Sequence, residues 1–108
     1  MPSPVYSTQF LAVKLGTDTL FPVPVGSVAV LRSVTLYNDD STSPRYGGLY
    51  IQATGVWILR ATVEARNPVA VSTSRVFDLR VVLKAGDVMV AHGDPLVSLT
   101  ASGYLFAG

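Results

Sequence analysis

The sequence contains no cysteine, so it can form neither a disulfide framework nor a thiolate metal site, and packing and hydrogen bonds must hold the fold. Its only histidine is His92 and its only glutamate is Glu64, which leaves few groups for acid-base catalysis or for a glycosidase carboxylate pair. No apolar run approaches the roughly 18 residues of a membrane span, and the opening Met1-Pro2-Ser3-Pro4 lacks the segments of a signal peptide. We therefore expect a protein that is made in the cytosol, is not an enzyme and binds no cofactor or metal.

Charge is also scarce. Charged residues make up 14% of the 108 residues, whereas an average soluble domain has about 25%. The formal net charge of +1 is far from the basic excess that a phosphate-binding surface needs, so nucleic acid is not an expected partner. A short chain with so few charges is expected to cover part of its surface with other chains. The composition thus predicts an oligomer or an assembly component, with a compact monomer covered by Ser and Thr as the alternative.

What the sequence does contain is strand-forming alternation, and the stretch Val76–Val90 shows it most clearly. Four apolar residues share one face of the predicted strand, namely Phe77, Leu79, Val81 and Leu83. The segment Lys84–Asp87 then interrupts the pattern with Gly86, which can adopt a positive φ, and apolar residues resume at Val88. This arrangement predicts two antiparallel strands joined by a tight turn.

Further strands are predicted at intervals of about ten residues, with turn residues between them. They are Val5–Leu15, Leu20–Val23, Val28–Asn38, Leu49–Thr54, Val56–Val63, Val69–Ser74 and Leu96–Ala101. Val28–Asn38 is expected to be central and buried on both faces, whereas Pro22 and Pro24 confine Leu20–Val23 to a sheet edge or a loop. The pattern predicts an all-β fold, an antiparallel β-sandwich that is jelly-roll-like with about eight strands. Residues 1–108 are expected to form one domain with a short extended N-terminal arm.

Two pairs of residues are candidates for an interface with other chains. Strict alternation in Val56–Val63 turns Trp57 inward as the core anchor and leaves Val56 and Ile58 facing outward. Asp78 and Arg80 share one face of a strand, where they could form an exposed salt link or contact a neighbouring subunit.

The longest stretch of turn-forming residues is Asn38–Gly48, which makes it the candidate functional loop. The residues that could act there are Asp39, Asp40, Arg45 and Tyr46. Calcium binding by the adjacent oxygens at the start of this loop is one alternative, but Asx-type turns explain the same residues without a metal.

His92 and the aromatic residues give two weaker alternatives. With Asp87 or Asp94, His92 could form an acid-base site, but the Gly-Asp-Pro that follows it favours a polar turn at a strand end. A glycan-stacking platform would use tyrosines together with Trp57. Because the tyrosines are scattered along the chain, glycan binding is possible but not favoured. They are Tyr6, Tyr37, Tyr46, Tyr50 and Tyr104.

Four segments together resemble the small all-β virion proteins of tailed bacteriophages. They are Phe21–Gly26, Val30–Asn38, Val82–Asp87 and Thr100–Tyr104. The resemblance implies a structural protein without catalysis, a capsid decoration protein that oligomerises on the particle, or alternatively a tail or fibre component. It implies a homo-oligomer, with a trimer favoured, that contacts other virion proteins such as the major capsid protein. It also implies location in the virion after synthesis in the host cytoplasm, and it transfers no catalytic or ligand-binding residue.

Overall fold

The computed structural model describes residues 5–66 and 74–107, which form eight antiparallel strands in two four-stranded sheets. The strands are β1 (Val5–Lys14), β2 (Thr19–Pro22), β3 (Ser27–Asn38), β4 (Arg45–Ile51), β5 (Val56–Val63), β6 (Ser74–Lys84), β7 (Val88–Gly93) and β8 (Val97–Ala107). The first sheet has the order β1-β8-β3-β6, and the second sheet has the order β2-β7-β4-β5. These orders are those of a jelly roll, which confirms the predicted all-β sandwich. The predicted N-terminal arm and most of the strand predicted at Val69–Ser74 lie outside the described residues.

The core lies between the two sheets. Its largest fully buried side chains come from both of them and include Leu31, Leu36, Leu49, Leu83, Met89 and Leu99. The predicted inward row of β6 is confirmed, because Leu83 is buried and Phe77, Leu79 and Val81 pack against the core. No helix occurs in residues 5–66 and 74–107, and hence none that could span a membrane.

The turn after β6 forms as predicted, but the hairpin does not. The amide of Asp87 donates to the carbonyl of Lys84 at 3.1 Å, and Gly86 has a φ of 91°. However, β6 pairs with β3 in the first sheet, whereas β7 pairs with β2 and β4 in the second. The prediction of paired strands was wrong because a tight turn also suits a chain that crosses from one layer of a sandwich to the other.

A β-bulge at Arg32 reverses the faces of β3. Leu31 pairs with Gly103 and Ser33 pairs with Ser102, so Arg32 is an extra residue in the ladder with β8. In the ladder with β6 the extra residue lies in β6, at Leu79 and Arg80. Ala29 and Leu31 are therefore buried before the bulge, and Val34 and Leu36 after it. β3 is central, as predicted, but it is fully buried on one face only, since the outward residues are half-buried or exposed. The bulge accounts for the unclear alternation of its sequence.

A second bulge, at Ile58, corrects the predicted orientation of β5. Leu59 pairs with Leu49, but Trp57 pairs with Tyr50, so Ile58 has no partner in the ladder. Trp57 consequently faces outward with 36% of its surface exposed, and it is not the core anchor. Ile58, expected on the outside, packs against the core, whereas Val56 is exposed as predicted.

Candidate functional site

The outward face of the second sheet is built around β4. Gly47 and Leu49 are buried on the inward side of this strand, so Tyr46, Gly48 and Tyr50 point outward by alternation. Two tyrosines thus flank a glycine on the exposed side of the sheet. This face carries the densest group of aromatic and charged side chains in the described part of the chain.

The strands next to β4 place three more side chains around Gly48. Arg60 of β5 and His92 of β7 are its cross-strand partners, and Trp57 is the partner of Tyr50. A Cβ atom at Gly48 would overlap with the carbonyl oxygen of Leu59, so only glycine fits there without displacing the backbone. Because Gly48 has no side chain, the larger side chains of its neighbours can occupy the space above it.

These side chains form one connected group, which we call the aromatic surface cluster. The ring of Tyr50 meets Trp57 edge-on at 5.0 Å between centroids, and His92 lies 6.1 Å from Trp57, 6.3 Å from Tyr46 and 6.4 Å from Tyr50. The guanidinium of Arg60 lies over Tyr46 at 4.7 Å and over Trp57 at 5.0 Å from the ring centroids, within cation-π range. The cluster therefore consists of Tyr46, Tyr50, Trp57, Arg60 and His92.

Asp18, in the turn between β1 and β2, adds a carboxylate to the cluster. Its Oδ1 lies 2.6 Å from Nδ1 of His92, and its Oδ2 accepts a hydrogen bond from the hydroxyl of Tyr50 at 3.3 Å. Burial, followed by the charge of Asp18 and the hydrogen bond to it, raises the pKa of Tyr50 above its usual value. The Tyr50 hydroxyl is thus a neutral donor at physiological pH.

The structure changes the interpretation of His92. We predicted a turn residue, but His92 lies on β7 with its side chain in the cluster. Its carboxylate partner is Asp18, which is distant in sequence, and not Asp87 or Asp94. Asp87 accepts from the amide of Lys84 at 3.1 Å and so supports its own turn, whereas Asp94 accepts from the amide of Tyr46 at 2.9 Å and joins the end of β7 to β4.

The predicted functional loop is shorter than expected, because β4 begins at Arg45 and only Asp39–Pro44 connects the strands. The Oδ1 of Asp40 accepts from the amide of Thr42 at 2.9 Å and from its hydroxyl at 2.8 Å. Its Oδ2 accepts from Nε of Arg45 at 2.8 Å and pairs with Nη2 of Arg45 at 2.7 Å. The bonds from Thr42 and the Arg45 guanidinium lower the pKa of Asp40 to about 2. Asp40 and Arg45 therefore satisfy each other and shape the loop, while Asp39 is exposed.

Sequence reasoning missed the role of Asn38, which is fully buried. Its Nδ2 donates to the carbonyls of Ser43 at 2.9 Å, Val63 at 3.1 Å and Glu64 at 3.1 Å. Its Oδ1 accepts from the amide of Asp40 at 2.9 Å. Asn38 thus ties the end of β3 to the loop and to the end of β5. An Asn at a strand end next to Asp is typical of a turn, and this signal does not reveal burial.

The candidate interface residues do not come together in one patch. Val56 lies on the second sheet, whereas Asp78 and Arg80 lie exposed on β6 of the first sheet. The first sheet instead carries an outward row, in which Val30 pairs with Val82 on one side and with Tyr104 on the other. Val82 is 65% exposed and Tyr104 is 44% exposed. Together with the neighbouring half-buried pair Val28 and Phe106, these three residues form what we call the apolar band.

No group of three or more His, Asp or Glu side chains is placed to hold a metal ion within residues 5–66 and 74–107. The aromatic surface cluster, by contrast, offers ring surfaces beside an aspartate, an imidazole and a guanidinium. Such a surface can stack on a flat or apolar face while hydrogen-bonding its polar edge.

Comparison with known proteins gives a likeness of fold. No family model matches the chain, and no curated protein matches it. A chain in the cryo-EM structure of a virus-like particle of the extra small virus of the giant freshwater prawn Macrobrachium rosenbergii is similar, with a TM-score of 0.53 and 10% sequence identity. The match covers 100% of this chain and 81% of the viral chain. The two chains therefore share a fold.

Proposed function

We propose that this protein is a virion structural protein, a capsid decoration protein that oligomerises on the surface of a tailed-bacteriophage particle. The observation that carries the proposal is the apolar band, because its exposed valine and tyrosine side chains lie on the face of a fold shared with a viral particle protein. In this role the protein performs no reaction. Its partners are further copies of itself and other virion proteins such as the major capsid protein.

The physical basis is the free-energy cost of leaving the apolar band exposed to water. Val82 and Tyr104 lie on either side of Val30, on three neighbouring strands. The three side chains therefore form one continuous apolar surface. Burying apolar surface contributes about 25 cal/mol per Å². A specific contact of this kind would bury roughly 1,000 Å² or more in total, so it would extend well beyond the band itself.

The test is whether the protein is part of the particle. Virions purified on a density gradient from a lysate that contains the protein should carry many copies of it, and gold-labelled antibody should mark the head. Label on the tail or fibres would support the tail or fibre alternative. Absence of the protein from purified virions would overturn the virion role altogether.

A matched pair of variants tests the part played by the apolar band. Tyr104→Asp places a charge in the band and should reduce incorporation into virions at least about tenfold. Val25→Asp is the control, since Val25 is 97% exposed in the connection between β2 and β3 and lies outside the band. Equal incorporation of both variants would show that the band does not make the contact. Circular dichroism should confirm that both variants are folded.

The aromatic surface cluster favours a second candidate function, carbohydrate binding. The structure brings together Tyr46, Tyr50 and Trp57, which are scattered in sequence, and it adds Asp18 as a hydrogen-bond acceptor. Aromatic faces pack on sugar rings, and carboxylates accept from sugar hydroxyls. In a virion protein such a site would hold the particle to surface glycans.

A glycan array followed by calorimetric titration of any glycan bound tests this candidate. Tyr46→Ala and Trp57→Ala should each weaken saturable binding at least about tenfold, because each removes one ring of the cluster. Tyr104→Ala is the matched control, since Tyr104 is an exposed tyrosine on the other sheet. No binding across the array would remove the candidate and leave the structural role standing alone.

A further inference from the structure

Strand β6 forms one edge of the first sheet. It is 11 residues long, and its only strand partner in the described part of the sheet is β3. Within residues 5–66 and 74–107, no strand pairs with the other side of β6, which is a strand of unusual length for an edge. Such an edge is a template for pairing with another strand unless something blocks it.

The outward side chains of β6 show what could pair there. Val76 is 64% exposed and Val82 is 65% exposed, and between them lie the exposed Asp78 and Arg80. The described ion pairs join Arg45 to Asp40 and His92 to Asp18, so they involve neither Asp78 nor Arg80. Two opposite charges that take part in none of the described ion pairs thus lie between two exposed valines on one face of an edge strand.

This order of residues is self-complementary. β6 departs from regular pairing with β3 at Leu79 and Arg80, but its side chains keep alternating in burial from Val76 to Leu83. If two copies of β6 run antiparallel about a two-fold axis at Leu79, this alternation places Asp78 of each copy opposite Arg80 of the other. Val76 of each copy then lies opposite Val82 of the other. On the inward side, Phe77 lies opposite Val81 and Leu79 lies opposite its own copy, so every cross-strand pair between Val76 and Val82 joins compatible side chains.

The charges also select this pairing against its alternatives. Sliding the second strand by two residues places Asp78 opposite Asp78, or Arg80 opposite Arg80, depending on the direction. Parallel pairing in register aligns the same like charges. Sliding by one residue turns the apolar row of the second strand from the core side to the solvent side. Isolated charges on an edge strand usually block pairing, but this pair blocks every arrangement described here except one.

We propose that β6 of one copy pairs with β6 of a second copy, antiparallel and centred on Leu79, joining the two first sheets into one continuous eight-stranded sheet. The proposal deepens the proposed function, since it names the contact through which the protein would associate with itself. It gives a two-fold contact in place of the favoured trimer. The apolar band would extend across the seam, because Val82 of one copy would adjoin Val76 of the other.

Charge exchange is the direct experiment. Sedimentation equilibrium over a concentration series should show a dimer of the parent chain. In the proposed dimer Asp78→Arg creates two Arg–Arg pairs across the seam, and Arg80→Asp creates two Asp–Asp pairs, so each variant should weaken the dimer at least about tenfold. The double variant Asp78→Arg/Arg80→Asp restores both opposite-charge pairs and should return dimerisation to near the parent level.

Mixing the two single variants provides a test that only a two-fold contact passes. Neither variant pairs well with itself, but one carries two arginines and the other two aspartates at the facing positions. An equimolar mixture should therefore form heterodimers about as strong as the parent dimer. Lys14→Asp is the control, because Lys14 is an exposed residue at the opposite edge of the same sheet and should leave the dimer unchanged. All the variants change exposed side chains, and circular dichroism should show the parent fold.

Each outcome decides between the proposals. A parent chain that is monomeric or trimeric, or a dimer that is indifferent to Asp78→Arg, would overturn the β6 pairing. None of these results would remove the virion role, which depends on the presence of the protein in purified particles. Conversely, a charge-sensitive dimer that is absent from virions would support the pairing and overturn the proposed function.

Discussion

Replacing Asn38 by Ala should destabilise the fold far more than its position next to a loop suggests. The change removes the side chain that donates hydrogen bonds to the carbonyls of Ser43, Val63 and Glu64 and accepts one from the amide of Asp40. The bonds to Val63 and Asp40 are buried, whereas those to Ser43 and Glu64 are partly buried and could be replaced by water. Leaving a buried polar group unsatisfied costs about 1–3 kcal/mol.

Two such groups give an expected loss of about 2–6 kcal/mol, from a total stability of about 5–15 kcal/mol for a small domain. Urea denaturation followed by circular dichroism measures it, with the slope m compared between variant and parent. Asn38→Asp is the informative companion, because it keeps the shape but presents oxygen to the carbonyls of Ser43, Val63 and Glu64, and it should be at least as damaging. A loss below about 0.5 kcal/mol for Asn38→Ala would refute the view that this side chain holds the loop to β5.

Three further predictions concern the loop, the β6–β7 turn and the core. Asp40, whose pKa is lowered to about 2, should stabilise the fold above the unfolded-state pKa of about 3.9, and this contribution should disappear as the pH falls through 2. Thermal unfolding from pH 5 to pH 2 should therefore show a smaller pH dependence for Asp40→Asn than for the parent. Gly86→Val should lower the unfolding free energy by about 1–3 kcal/mol, because a β-branched residue resists the φ of 91°; Gly86→Asn should recover part of the loss in the same urea titration. Leu83→Ala should cost about 2–5 kcal/mol and Leu79→Ala about half as much, since Leu83 is 1% exposed whereas Leu79 is half-buried; equal costs would contradict this difference in burial.

Most of the fold could be predicted because alternation and turn residues carry the information that builds a sandwich. β6 kept its strict alternation, so its inward row was predicted correctly. Alternation failed at Arg32 and Ile58, because a bulge inserts one unpaired residue and exchanges the two faces beyond it. No local composition marks either bulge. Strict alternation therefore could not predict the outward position of Trp57.

The candidate site could be predicted only in part. Tyr46 was identified, but as a loop residue, and its neighbours Tyr50, Trp57 and His92 come from three strands whose adjacency depends on long-range pairing. The approach of Asp18 to His92 depends on the same pairing of β2 with β7. The sequence signals for turns at Asp40, Asp87 and Asp94 were correct. These signals indicated aspartates that hydrogen-bond to the backbone, and they did not indicate a binding site.

The order of strands in the first sheet has a consequence for how the protein is made. β8 lies between β1 and β3, so the strand that joins them comes last of the eight in the chain. Until residues 97–107 leave the ribosome, β1 lacks its only strand partner in the described sheet and β3 lacks one of its two. The first sheet can therefore form only after this segment has been translated. Its strands must then pair over long loops, which is typically slow, and their apolar residues stay exposed in the meantime. Ribosome-arrested chains that stop before β8 should accordingly remain sensitive to protease in β1 and β3.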